Sequence, residues 1–153
     1  MLSLAILSFI IAILISLQKN TLDQAKYMLD YNSEEQYLNA IEQRLKLYIW
    51  DAEEIDLQVN PLRLRVVRRF SYGRREYLYY LDQVKHVFYE SAQYLEWYGD
   101  GAKPGSYITP IASEIKKFSV ELEYLPKGIM LNIHISSSLN YKKFSILARN
   151  TLP

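Results

Sequence analysis

The pattern of apolar and polar positions divides the chain into three regions. Residues 1–17 are apolar on every side of a helix, with no charge, glycine or proline, and three serines are their most polar side chains. Residues 18–57 carry apolar side chains three and four positions apart, which indicates an amphipathic helix. Beyond Pro61, apolar and polar residues alternate with a period of two, as in strands with one buried face. The pattern therefore predicts a helix of two parts followed by a sheet.

Residues 1–17 form the first part, the hydrophobic segment. Because a helix rises about 1.5 Å per residue, this segment would extend roughly 25 Å, near the minimum that crosses the apolar core of a membrane. No basic residue precedes it and no small-residue cleavage site follows it, so it lacks the marks of a secretory signal peptide. We expect a retained transmembrane segment from which a leader has been removed. A signal anchor or an atypical signal peptide is the alternative.

Residues 18–57 are predicted to continue the same helix. Neither glycine nor proline occurs before Asn60, and Asn60-Pro61 closes the helical region because proline disfavours the helical conformation of the residue before it. Ser33 and Gln36 fit a capping box, so a break and a new helix start within residues 30–36 is the alternative. The apolar stripe consists of Leu22, Ala25, Leu29, Leu38, Ile41, Leu45, Tyr48 or Ile49, Ala52 and Ile55.

Residues 58–153 are predicted to form a globular antiparallel β domain of about five or six strands. Glycine and proline are frequent between Glu90 and Ala112, which predicts a long irregular loop. A sheet with one apolar face needs a cover, and the stripe of the second helical part can provide it. The predicted fold class is α+β. The predicted strands lie at residues 62–70, 76–81, 84–89, 118–122, 129–135 and 143–149.

Composition and charge narrow the function classes. The formal net charge of +1 argues against attraction of the whole chain to nucleic acid. The chain has no cysteine, which excludes disulfides and thiolate metal sites. Fourteen tyrosines, two tryptophans and five phenylalanines favour half-buried strands and interfaces over a disordered tail.

No group of residues supports an enzyme, a metal site or a cofactor site. His86 and His134 each lie in a predicted strand without a second ligand at a suitable spacing. No glycine-rich phosphate loop occurs, and no serine lies in a nucleophile elbow. Four carboxylates near the predicted helix end lack the spacing of a calcium loop and are interpreted as solvated: Asp51, Glu53, Glu54 and Asp56.

Two surface features are candidates for binding. One is an arginine strip, which fits anionic partners such as DNA, lipid headgroups or acidic polysaccharide. We favour its alternative, a solvated strand face that pairs with carboxylates of neighbouring subunits, so nucleic acid is not the favoured partner. The other is an interface loop rich in aromatic residues. The strip comprises Arg63, Arg65, Arg68, Arg69, Arg74 and Arg75, and the loop comprises Tyr94, Trp97, Tyr98 and Tyr107.

Taken together, these patterns resemble the subunits of type IV filaments, which include type IV pili, type II secretion pseudopili and DNA-uptake pili. The resemblance rests on the apolar helix start, its amphipathic continuation and the C-terminal strands. Those strands include Tyr77–Asp82 (YLYYLD), the Phe-x-Val-x-Leu pattern of Phe118–Leu122 and a closing Ala148-Arg149-Asn150. Two departures are Ala5, where pilins typically carry a glutamate, and the absence of glycine and proline from the first helix.

The resemblance implies a pilin-like fold, in which the hydrophobic half of a long N-terminal helix protrudes and the other half packs on the sheet. It implies a structural subunit, either a pilin or a minor pilin or pseudopilin, and not an enzyme. The subunit would wait in the membrane, and an inner-membrane assembly machinery would add it to a surface or periplasmic filament of like subunits. Met1 would be N-methylated. The filament core would contain Leu2, Leu4, Ala5, Ile6, Leu7, Phe9, Ile10, Ile11, Ile13, Leu14 and Ile15.

Pili for adhesion, motility or DNA uptake and pseudopili for secretion all fit this pattern. The alternative function is a signal-anchored, monomeric extracytoplasmic binding domain that uses the arginine strip or the interface loop.

Overall fold

The computed structural model describes residues 2–149, with the side chains of residues 9–149. This part of the chain is α+β, with one N-terminal helix packed against two antiparallel sheets. The elements are α1 (Leu2–Ile49), β1 (Glu54–Val59), β2 (Leu62–Phe70), β3 (Gly73–Asp82), β4 (Val87–Trp97), β5 (Tyr107–Ala112), β6 (Lys117–Leu125), β7 (Gly128–Ser136) and β8 (Tyr141–Ala148).

Helix α1 is continuous through residues 30–36, so the break at the capping box does not occur. The predicted helix end at residue 57 is wrong, because α1 ends at Ile49 and residues 54–59 form β1. Ile55 fits the helical spacing of the stripe. It also fits a strand, because Ile55 and Leu57 share one face and the polar Asp56 lies on the other. Pairing with β2, where Ile55 lies opposite Val66, selects the strand.

The chain divides into two compact units, Met1–Ser33 and Glu34–Pro153. In the part of α1 whose side chains are described, and in the rest of the described chain, no helix is both long and apolar enough to span a membrane. The predicted transmembrane segment, residues 1–17, lies partly outside the described side chains, which begin at Phe9.

The strands form two meanders instead of the single sheet of five or six strands that we predicted. The order is β1-β2-β3-β4-β5 in the larger sheet and β6-β7-β8 in the smaller one, with every pair antiparallel. The predicted irregular loop from Glu90 to Ala112 is wrong, because β4 and β5 occupy both of its ends. The pairing register between β4 and β5 shifts between Phe88 and Tyr89, and Pro110 lies on an edge strand, where a missing N–H is tolerated.

Two glycines begin strands in the left-handed conformation. Gly73 has a φ of 145° and Gly128 a φ of 140°. A Cβ on Gly73 would lie 2.2 Å from the carbonyl oxygen of Glu96, and one on Gly128 would lie 2.0 Å from that of Ala148. Both tight turns therefore require glycine for its backbone freedom and for the space.

The hydrophobic core lies in the unit Glu34–Pro153 and joins α1 to both sheets. The stripe residues of α1 from Leu38 onward are fully covered, and each sheet contributes the apolar face of its strands. The largest buried apolar side chains are Ile41, Leu45, Ile49, Leu64, Tyr77, Tyr79, Phe88, Ile115, Leu131, Ile133 and Ile135.

Glu34, the first residue of this unit, connects α1 to the β7–β8 turn by hydrogen bonds. Its carboxylate is nearly buried and accepts hydrogen bonds from the Ser137 hydroxyl and, at 2.8 Å, from the Leu139 amide. Nearby, the Lys142 ammonium binds Glu42 and Asn39 of α1. Polar contacts therefore continue the attachment of α1 to the smaller sheet beyond the apolar core.

We expect Leu45→Ala to lower the free energy of unfolding by about 2–5 kcal/mol, because a fully buried leucine leaves a cavity. Leu47→Ala on the same helix is the matched control. Leu47 is 58% exposed, so the same change should cost about 0.5 kcal/mol or less. Urea unfolding of the full chain in a non-ionic detergent, followed by tryptophan fluorescence, measures both. Equal losses would contradict the assignment of the core face.

Candidate functional site

The first candidate surface is the apolar side of α1 within Met1–Ser33. Phe9 is 67% exposed, Leu14 is 54% exposed and Ile15 is 60% exposed, and Ile10, Ile11 and Ile13 are also exposed. Consecutive helical residues point in all directions, so the apolar surface runs around the whole helix. Water is a poor solvent for such a surface, so an apolar environment would favour it. Met1 and the side chains of Leu2, Leu4, Ala5, Ile6 and Leu7 lie outside the described part.

The apolar stripe of the amphipathic part has two different environments. Leu22 and Leu29 are 69% and 70% exposed, and Met28 beside them is also exposed. Leu38 and Ile41, farther along the same stripe, are buried in the core. The sequence predicted that the apolar stripe of the amphipathic part covers the sheet. The stripe residues before Ser33 do not cover it, and their exposed apolar side chains are available to another partner.

The second candidate surface, the arginine strip, is divided between the two faces of the larger sheet. Alternation along β2 places Arg65 and Arg69 on the outer face and Arg68 on the face that covers the core. A bulge between Arg74 and Arg75 separates the next two arginines. The six side chains therefore do not form one surface.

On the outer face, arginines and carboxylates of the same chain form what we call the outer network. Arg69 binds Glu53 at 2.8 Å between Nη2 and Oε1, and Arg74 Nε binds the other oxygen of Glu53 at 2.9 Å. Glu54 accepts from both Arg65 and Arg74. The network is completed by Glu76, which binds Arg65 and Gln93, and by Glu96, which binds Arg74. These arginines pair within the chain, whereas our favoured interpretation assigned their carboxylates to neighbouring subunits.

The outer network shifts the pKa values of its members. Hydrogen bonds from Arg69 and then Arg74 lower the pKa of Glu53. Burial acts to raise the pKa of Glu76, but hydrogen bonds from Arg65 and Gln93 outweigh it and the pKa is lowered. Both carboxylates are therefore held in the charged form that the arginines require.

Two arginines of the strip point to the inner side and contact aromatic rings. Arg68 Nη1 donates to the carbonyl oxygen of Leu47 at 3.0 Å, in the last turn of α1, where a cation also favours the helix dipole. Arg75 lies 4.9 Å from the ring centres of both Tyr94 and Tyr107 and 5.3 Å from that of Tyr77. Among the described residues, Arg75 has no carboxylate partner, so these rings are its main support.

The predicted interface loop is mostly strand. Tyr94 and Trp97 lie on β4, Tyr107 begins β5, and only Tyr98 lies in the connection between them. Tyr94 and Trp97 are in edge contact, with ring centres 5.0 Å apart, and both contact Tyr72. Tyr98 is 67% exposed, and its hydroxyl binds Glu96. The aromatic residues therefore stabilise the end of the larger sheet and leave Tyr98 as the exposed ring.

The sequence did not reveal the central polar pair of the core, Arg44 and Glu90. Glu90 is fully buried on β4, and both of its oxygens accept from Arg44 of α1 at 2.9 Å. The Tyr107 hydroxyl also donates to Glu90 at 3.1 Å. Hydrogen bonding to Glu90 raises the pKa of Arg44. A signal was present, since Glu90 shares the buried face of β4 with the apolar residues Phe88 and Ala92, but the prediction of a loop from Glu90 onward concealed it.

The two histidines and the carboxylates after α1, which the sequence analysis considered as metal ligands, do not form a common site. His134 lies on β7, as predicted, whereas His86 lies in the β3–β4 turn and not in a strand. In residues 9–149, no three metal-ligating side chains come together. Glu53 and Glu54 belong to the outer network, and Asp51 binds Arg68 at 3.4 Å.

The chain matches no protein-family model, no curated protein and no solved structure.

We expect Glu90→Gln to lower the free energy of unfolding by about 3–4 kcal/mol, because Arg44 would lose its charge partner. The lower half of the range for a broken buried pair applies, since the Arg44 side chain is 36% exposed. Glu54→Gln in the outer network is the control and should cost about 1 kcal/mol or less. Urea unfolding measures both. A loss for Glu90→Gln no larger than that of the control would contradict a central role for the pair.

The lowered pKa values of Glu53 and Glu76 predict a dependence of stability on acid. A carboxylate whose folded pKa is below its ordinary value of about 4.3 stabilises the fold fully above that value and loses its contribution as the pH falls through the folded pKa. We expect the free energy of unfolding to fall below about pH 4.3, and to fall less steeply in Glu76→Gln. Unfolding measured between neutral and acid pH checks this, with the exposed Glu35→Gln as control. An unchanged acid limb in Glu76→Gln would refute it.

Proposed function

We propose that this chain is a structural subunit of a type IV filament, as a pilin or as a minor pilin or pseudopilin. One observation carries the proposal. A single continuous helix, α1, exposes apolar side chains around its whole circumference from Phe9 to Leu17 and buries its later stripe in the core of its own β domain. The later part of such a helix stabilises the fold of its own chain, and the earlier part is suited to an apolar environment outside that fold.

Before assembly, lipid is the environment that suits the apolar part. Residues 1–17 contain no charged side chain, and a helical backbone pairs most of its polar groups within itself, so this segment suits lipid. Lys19 follows two residues after Leu17 and can place its ammonium group at the membrane surface. In this proposal the subunit is held in the membrane by the start of α1.

In the filament, the same side chains contact the helices of other subunits. Moving them from lipid to a bundle of similar helices changes their hydrophobic free energy little, so packing decides the assembly. Branched residues such as Ile10, Ile11 and Ile13 offer rigid surfaces for that packing. The contacts are heterologous, because one subunit uses a different part of its helix from the part its neighbour uses, and contacts of this kind generate open helical filaments.

The β domain has a supporting role in this proposal. Its outer network pairs Arg65, Arg69 and Arg74 with carboxylates of the same chain, which weakens the positive field on that face of the larger sheet. The exposed Tyr98 and the apolar stripe at Leu22 and Leu29 are further surfaces that neighbouring subunits can cover. The proposed localisation is the membrane before assembly and a surface or periplasmic filament afterwards.

We expect Ile10→Lys to abolish filaments, because a lysine at the centre of the apolar segment costs about 3 kcal/mol in lipid and cannot be paired in a helix bundle. Gln24→Lys adds the same charge to the same helix at an exposed polar position and should assemble normally. The measurement is electron microscopy of material sheared from cells that make each variant, with antibody labelling of the chain.

Two outcomes would overturn the proposal. One is a wild-type chain that stays in the membrane fraction as a monomer and never enters sheared filaments, which would support the signal-anchored binding domain. The other is normal filaments from Ile10→Lys, which would show that the apolar segment does not lie in the filament core.

A further inference from the structure

The outer face of the smaller sheet carries a cationic cleft at one end. The cleft has a volume of about 430 Å³, and its polar lining comes from all three strands of the sheet. Of its described lining residues, none is acidic. The polar lining consists of Lys117 on β6, His134 and Ser136 on β7, and Tyr141, Lys142 and Lys143 on β8.

Strand register brings these side chains together in two rows. Lys117 lies opposite Ser136, which lies opposite Tyr141 on the other side. In the next outward-facing row, His134 lies opposite Lys143. Side chains directly opposite one another across antiparallel strands have Cβ atoms about 5 Å apart, so two ammonium groups, an imidazole and two hydroxyls share one surface.

The charge of this surface is not balanced within the described chain. Lys142 faces the helix side, where Glu42 and Asn39 bind it. The side chains of Lys117 and Lys143, in contrast, form no ion pair or hydrogen bond with any described residue. The acidic residues of the same outer face, Glu121 and Glu123, lie toward the other end of β6, opposite Asn132 and Met130.

This imbalance distinguishes the cleft from the other basic regions of the β domain. The arginines of the outer network bind carboxylates, and Arg75 lies among tyrosine rings. Lys117 and Lys143 lie on opposite sides of β7 in neighbouring rows, so two like charges share one surface without a partner, and an anion bound between them can pair with both. The two lysines are therefore free to bind an anionic ligand, because no carboxylate of the described chain pairs with them.

The geometry points to a ligand that carries a phosphate group. We propose that the cleft binds a diphosphate or a small phosphate ester, with Lys117 and Lys143 as charge partners. The hydroxyls of Ser136 and Tyr141 and the imidazole of His134 donate hydrogen bonds to phosphate oxygens. A volume of about 430 Å³ exceeds that of a single phosphate and accommodates a second phosphate or a glycerol-sized group.

The test is a calorimetric titration of the full chain, held in an uncharged detergent at low ionic strength, with sodium pyrophosphate. We expect one binding site per chain and about tenfold weaker binding by the double variant Lys117→Gln/Lys143→Gln, because each exposed charge contact contributes a factor of about two to five. The control is Lys85→Gln/Lys127→Gln, which removes the same charge from two exposed lysines outside the cleft and should change the affinity by less than about twofold.

Two short-chain probes identify the source of the phosphate group. Glycerol 3-phosphate represents a free phosphate ester, and dihexanoyl phosphatidylglycerol represents a lipid headgroup. Competition with pyrophosphate by the first alone supports a soluble ligand, and stronger competition by the second supports a headgroup. Absence of pyrophosphate binding to the wild-type chain, or equal weakening in the control variant, would overturn the proposal.

This inference is independent of filament assembly. Lys117→Gln/Lys143→Gln should form filaments as the wild-type chain does, and Ile10→Lys should still bind pyrophosphate in detergent. An unchanged urea midpoint for the double lysine variant shows that its loss of binding does not come from unfolding.

Discussion

The structure depends on the burial of one stripe of α1 against both sheets. Neither sheet can cover its own apolar face, and the residues from Leu38 to Ile49 supply the shared surface on which both pack. Ile41 and Leu45 are fully buried there, so the helix contributes to stability chiefly through packing and only secondarily through helix propensity. The same helix, before Ser33, has no partner of this kind within the described chain. One element thus supplies the core of the fold with one part and exposes apolar side chains with the other.

Charge is distributed differently on the two sheets. On the larger sheet, three arginines are matched by carboxylates in the outer network, and the buried Glu90 of the same sheet binds Arg44 of α1. A bidentate arginine inside a core is specific as well as stabilising, because another register of β4 against α1 would leave Glu90 without its partner. On the smaller sheet, Lys117 and Lys143 have no such match in the described chain. The first arrangement favours fold specificity, and the second leaves charge available for a ligand.

The fold class and most strands follow from the sequence because their signals are local. Alternation in residues 62–70 and 129–135 predicts strands β2 and β7 almost to the residue, and an uninterrupted run without glycine or proline predicts the long helix. The end of that helix could not be predicted in this way, since Ile55 satisfies both a helical and a strand spacing and only pairing with β2 decides between them. The pairing of Glu90 with Arg44, 46 residues away in sequence, is likewise a consequence of tertiary structure.

The hydrogen bonds of Glu34 set a limit on how the chain can be shortened. A soluble fragment for crystallography or NMR would remove the apolar start of α1, and Ser33 marks the end of the first compact unit. Glu34, however, holds the Ser137 hydroxyl and the Leu139 amide of the distant β7–β8 turn. A fragment that begins after this residue would leave that turn without its acceptor, although no residue of the turn itself had been changed. The useful N-terminus for such a fragment therefore lies a full helical turn or more before Glu34, so that its backbone position is maintained.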